Sequence, residues 1–190
     1  MARKFLDDIR AAIDSQMPDN TVGAITPAIM RATLKDVIDS TIQDEAALLG
    51  NVTTSVTATP TWTPVPAAFW TSVIGGDATF LKMSQGAGTI TGATVAGWSY
   101  TLQGVANLEA QNNADIEFAI GRGGAQFGQP ITVTGRGAGR PIYARCFCID
   151  ISAQANSVYQ LLVRSPTGAN ETISIINGAL IGTINPTNNP

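Results

Sequence analysis

At 190 residues the chain is long enough for one ordinary folded body plus an appendage, and a body near this size buries about 70% of its extended surface without disulfides. Its 11 Lys+Arg against 14 Asp+Glu form no basic cluster of the kind duplex nucleic acid requires. No apolar run of about 18 residues spans a bilayer, and "MARKFLDDIR" carries acids where a signal peptide needs an unbroken apolar core, so synthesis in a cytosol without membrane insertion is expected.

Charge is unevenly placed. Residues 1–50 hold five Lys/Arg and eight Asp/Glu, whereas residues 51–190 hold six of each. Only 13% of the chain is charged, against about 25% in typical soluble domains. A neutral region of this length has few ions with which to coat a solitary copy, which points to surface covered by other copies of itself, the alternative being an uncharged polar surface of Ser, Thr, Asn, Gln and Gly.

In chain order, Phe5, Leu6, Ile9, Ala12 and Ile13 recur at helical spacing, with Asp7, Asp8, Arg10 and Asp14 on the other side, and Pro18 closes this first helix. A second helix is announced by Thr26 as N-cap and Pro27 at its first position. Its apolar stripe runs through Met30, Leu34, Val37, Ile38, Ile42, Ala46 and Leu49, with Gly50 as the terminating residue. Two such helices cannot bury their stripes against each other alone, so Phe5, Ile9, Ile13, Met30, Leu34, Ile38 and Ile42 are the expected contacts to other protomers or to a docking site.

From Asn51 the composition changes. "NVTTSVTATPTWTPVP", residues 51–66, reads as an extended linker or edge segment, since Pro60, Pro64 and Pro66 donate nothing to a ladder. Strands are then expected near Ala78–Met83, Gly97–Gln103, Asp115–Ile120, Pro130–Thr134, Pro141–Ile151, Ser157–Arg164 and Thr172–Ile184, separated by Gly-, Asn- and Pro-rich turns. Regular short strands without helical periodicity give a β-sandwich or barrel over residues 67–190. Within "IYARCFCIDI" both faces are largely apolar, so one needs cover beyond the strand's own core.

Cys146 and Cys148 share one face of that strand about 6.5 Å apart, at the far limit of disulfide geometry, and are expected as free buried thiols. The chain has no histidine, which removes Ser-His-Asp and Cys-His machinery, and no catalytic residue, cofactor or metal site is assigned. Asp115 and Glu117 are an example of a carboxylate pair that a glycan hydrolase could use, although a solvated strand face explains them better. The glycine-rich "GRGGAQFG" and "GRGAGR" lie between strands rather than at the start of a helix, so they read as flexible loops. They place Arg122, Arg136 and Arg140 on or near an exposed rim, where a functional version of these loops would contact an anionic glycan or lipopolysaccharide. Trp62, Trp70 and Trp98 read as packing residues.

"DNTVGAITPAIMRATLKDVIDST", residues 19–41, resembles the short N-terminal segments of tailed-bacteriophage structural proteins, in which an "ITPA" step opens a helix ending in an "IDS"-like run. The β region, with "SVYQLLVRS" and the closing "ISIINGALIGTI", resembles the jelly-roll domains of phage fibre tips and of the tumour-necrosis-factor and C1q families. The resemblance implies an antiparallel jelly-roll β-sandwich preceded by a pair of α-helices. It implies a homotrimer, with residues 1–50 fixed to another virion protein of capsid or tail and the jelly roll exposed at the virion surface. The function so implied is a non-enzymatic capsid decoration or head fibre. The alternatives are a short tail-fibre or receptor-binding protein meeting a host surface glycan, and a soluble C1q-like trimeric glycan-binding module.

Overall fold

A computed structural model describes residues 45–76, 81–94, 96–151 and 153–185. The two expected helices, and with them Phe5, Ile9, Ile13, Met30, Leu34, Ile38 and Ile42, lie outside the described residues.

Two antiparallel sheets form a sandwich. In chain order the strands are β1 (Glu45–Gly50), β2 (Thr54–Ala58), β3 (Thr63–Pro64), β4 (Trp70–Gly75), β5 (Leu81–Ser84), β6 (Thr89–Gly92), β7 (Ser99–Glu109), β8 (Asp115–Arg122), β9 (Ala125–Gln126), β10 (Ile131–Thr134), β11 (Ile142–Asp150), β12 (Val158–Arg164) and β13 (Glu171–Asn185). The first sheet runs β11-β7-β13-β1-β4, with β2 beside β13; the second runs β10-β8-β12-β6-β5, with β3 beside β12 and β9 beside β8. The chain passes from β7 in the first sheet to β8 and β10 in the second, then alternates through β11, β12 and β13, which is a jelly-roll winding.

The alternation of the sequence explains the faces. Along β11, Ile142, Ala144, Cys146, Cys148 and Asp150 are buried while the residues between them are exposed. Leu102 and Leu108 of β7, Ile116, Phe118 and Ile120 of β8, Leu161 and Val163 of β12, and Ile173, Ile175 and Leu180 of β13 fill the buried core. Burying each such side chain contributes about 1.5–3 kcal/mol. A one-residue slip in register would turn a whole row toward solvent, so the pattern fixes the pairing.

All seven expected strand stretches contain strands, but before Gly76 β4 falls outside every expected stretch, and two further segments depart from their expected roles. Residues 45–50 are not the last turns of a helix: they pair with Thr183–Gly178 of β13 on one side and with β4 on the other. Ala and Leu favour helices in isolation, and a six-residue apolar run carries no decisive period, so the unfilled edge of the long β13 prevails. Gly50 is accordingly not a helix stop: a Cβ there would overlap the Phe69 ring. The second departure is residues 51–66, which are more than a spacer. β2 pairs with Glu171–Ile175 in the first sheet, and β3 pairs with Leu162 and Val163 in the second, so the segment crosses from one sheet to the other.

Candidate functional site

The strand register separates two ends of the sandwich. β1 begins at Glu45, opposite Thr183, and Thr183 lies opposite Thr101 of β7, so the chain enters the sandwich at that end. β7 then runs to Glu109, about 27 Å away at ~3.4 Å per residue, where the β7–β8 turn and the β10–β11 loop meet.

Arg122 sits at the entry end and not on a free loop. It is the last residue of β8, and its Nη1 donates to Asp150 Oδ2 at 2.9 Å. Its guanidinium also stacks 4.2 Å from the Phe127 ring centroid. Asp150 is only 3% exposed and also accepts from the Tyr159 hydroxyl at 2.7 Å, which ties β11 of one sheet to β8 and β12 of the other. Burial and the bond to Asp150 raise the Tyr159 phenol above its ordinary range. The Tyr100 ring meets Tyr159 edge-on at 5.8 Å, and its hydroxyl accepts from the Ala93 amide at 2.7 Å.

Arg136 and Arg140 lie at the opposite end, both exposed, in the loop between β10 and β11. This loop is laced to the β7–β8 turn rather than free. Gly135 donates to Ala114 at 2.7 Å, Asn113 donates to Gly135 at 2.9 Å, Gly137 donates to Ala110 at 3.1 Å, and Gly139 donates to Glu109 Oε2 at 3.0 Å. Gly137 and Gly139 adopt φ of 88° and 72°, which side-chain-bearing residues rarely hold. Between loop and turn opens a groove of about 690 Å³, lined among others by Asn112, Asn113, Thr134, Arg136, Pro141 and Tyr143. Arg140 does not line it. The three arginines grouped by the sequence are thus divided, one serving the interior and two standing at the far end.

Between these ends lies the outer face of the first sheet. On its edge strand β11, Phe147 and Ile149 are 65% and 53% exposed, and Ile151, just beyond the strand, is 67% exposed. At the sheet's other edge, Val73 and Ile74 of β4 are also exposed. The face that needed cover in the sequence reading is therefore bare in a single copy.

The carboxylate pair does not form an open dyad. Arg164 Nε meets Glu117 Oε2 at 2.6 Å, and the same guanidinium stacks 4.5 Å from the Trp62 ring. Asp115 Oδ1 accepts from Thr134 Oγ1 at 2.7 Å. Cys146 and Cys148 are free and buried, and burial pushes their thiols up to about 11 and about 12. Among the described residues no group of acids and thiols converges as a metal site.

No protein-family model matches the sequence, and no curated protein matches it. Among solved structures, the chain is similar to an Eiger TNF from S. frugiperda, at 13% identity over 75% of this chain and 91% of that one, with a TM-score of 0.43. It is also similar to the globular domain of zebrafish complement 1qA, at 10% identity over 75% of this chain and 96% of that one, with a TM-score of 0.46. Neither structure bears on the phage resemblance.

The groove residues Asn112, Asn113 and Tyr143 were not singled out from the sequence as a site. "QNNAD" reads as an ordinary turn, and only its apposition to "GRGAGR" gives it a partner wall.

Proposed function

We propose that this chain is a non-enzymatic structural protein of a tailed-phage virion: a homotrimeric head decoration or head fibre, anchored by the segment before Glu45 and displaying the sandwich outward. The observation that carries the reading is the uncovered apolar ridge of Phe147, Ile149 and Ile151. An exposed apolar patch of this kind on an otherwise complete sandwich marks an interaction surface. The ridge and the Val73–Ile74 patch sit at opposite edges of one sheet, and two unlike patches joined head to tail form a ring when the rotation between copies closes. The sequence resemblance to jelly rolls built around a threefold axis supports a ring of three. The resemblance of residues 19–41 to phage attachment segments supports the virion reading, and with that segment as anchor the end opposite chain entry is the one proposed for display.

Light scattering tests the assembly. Three copies of 19.8 kDa give 59.4 kDa, and Phe147→Ser with Ile149→Ser should return the mass to one copy while the fold persists. A wild-type chain that stays at 19.8 kDa at micromolar concentration overturns the trimer. Immunogold labelling of intact particles tests the virion and separates head from tail.

A short tail-fibre or receptor-binding role, with a host surface glycan as ligand, is the second reading, favoured by the groove at the end opposite chain entry. A soluble C1q-like module differs in the role of the front segment. Deleting residues 1–44 should abolish oligomerisation if that segment is a trimerising stub. It should leave a β trimer that no longer joins particles if the segment is an anchor.

A further inference from the structure

We infer that the groove between the β7–β8 turn and the β10–β11 loop is a binding site for an acidic saccharide, with Arg136 taking the carboxylate. The inference rests on the proposed reading only in treating this end as the outward one. The binding chemistry is carried by the sandwich itself.

Three features of the groove point to a ligand. The first is size: about 690 Å³ falls within the roughly 300–1,000 Å³ of small-molecule sites. The second is unused polar capacity. Among the described residues, none hydrogen-bonds the side chains of Asn112, Asn113 or Arg136 or the hydroxyl of Tyr143, although all four line the groove. Arg122 and Arg164, by contrast, each hold a carboxylate and an aromatic ring. The third is rigidity. Backbone bonds hold the loop to the turn, so the walls are formed before any ligand arrives and little ordering is left for binding to offset.

The chemistry of the lining selects the class. A guanidinium presents paired N–H donors that match a carboxylate. Carboxamides both donate and accept, as adjacent sugar hydroxyls require. Tyr143, 60% exposed at the groove wall, offers a flat apolar face for sugar C–H groups, with Pro141 beside it. Thr134 is engaged with Asp115, and that carboxylate is not among the residues lining the groove.

The probe is trigalacturonic acid, titrated against the intact full-length protein by calorimetry and by saturation-transfer NMR, with its fully methyl-esterified form as a neutral counterpart of the same shape. A dissociation constant of order 1 mM is expected for an open groove, with methyl esterification weakening binding about tenfold or more. Arg136→Gln should weaken binding of the acid about tenfold and leave the ester unchanged, while Tyr143→Ala should weaken both about fivefold. Arg140→Gln, outside the groove, should change affinity less than about twofold. Equal binding of acid and ester, indifference to Arg136→Gln, or no binding of either at 10 mM (roughly ten times the expected constant) overturns the inference. Solution mass read on the same samples keeps that outcome distinct from failure of the trimer.

Discussion

Arg122 and Arg136 stand at opposite ends of one sandwich, each near a tyrosine, and meet opposite fates. At the entry end, Asp150 takes both the guanidinium of Arg122 and the hydroxyl of Tyr159, and three strands from two sheets are joined through one carboxylate. At the far end, Arg136 and Tyr143 face a groove and have no such partner among the described residues. The difference is one of burial. A carboxylate 3% exposed must be satisfied from within, whereas an exposed arginine is satisfied by water and keeps its donors for a ligand.

The sharpest way to break this contrast is Asp150→Ala. It strands the buried Tyr159 hydroxyl and the one-third-exposed Arg122, and should cost about 3–4 kcal/mol in denaturant unfolding. A loss under 1 kcal/mol would show that the entry end does not depend on this carboxylate.

Alkaline titration gives an effect of similar size. Burial keeps Cys146 and Cys148 protonated in the folded chain up to about 11 and about 12, while unfolded thiols ionise near 9.0. The folded state therefore binds more protons in this window. The stability contributed is full below pH 9 and is lost as pH rises through 11 to 12, by about 1.4 kcal/mol per pH unit for each thiol between about pH 9 and 11. Replacing both thiols by Ala should make the unfolding free energy fall less steeply across pH 9–11, the remaining slope coming from the buried Tyr100 and Tyr159 phenols, and an unchanged slope would contradict the burial of the thiols.

Gly135→Ala sharpens the far end. Its Cβ would collide with the Gln111 carbonyl oxygen, which is backbone and cannot rotate away. A cost of about 1–3 kcal/mol is expected, with the loop pushed off the turn. The smallest effect belongs to Arg136→Gln, which should move the unfolding free energy by less than about 0.5 kcal/mol, as exposed positions do. A large loss there would mean that Arg136 supports the fold after all.

The core was legible because a strand's face is a local property. "DIEFAI" and "IYARCFCID" display their buried rows by simple alternation, and β8 and β11 follow them. β6 is absent from the expected strands because "TITG" is short and glycine-flanked, and the expected strand near Gly97–Gln103 covers only the first half of β7. Gly104 is where a Cβ would press on Leu161 Cδ1 at 2.6 Å and Cys146 Sγ at 3.0 Å, a cross-sheet reason that no local pattern carries.

The amino-acid sequence alone determined the β class, the inner rows of the main strands, the free thiols and the want of cover on β11, because each follows from side-chain period and composition. Only the tertiary structure decided that residues 45–50 join a sheet, that Arg122 belongs to Asp150, and that "QNNAD" and "GRGAGR" wall one groove. Those depend on which distant segments meet, and in a jelly roll the segments that meet are far apart along the chain.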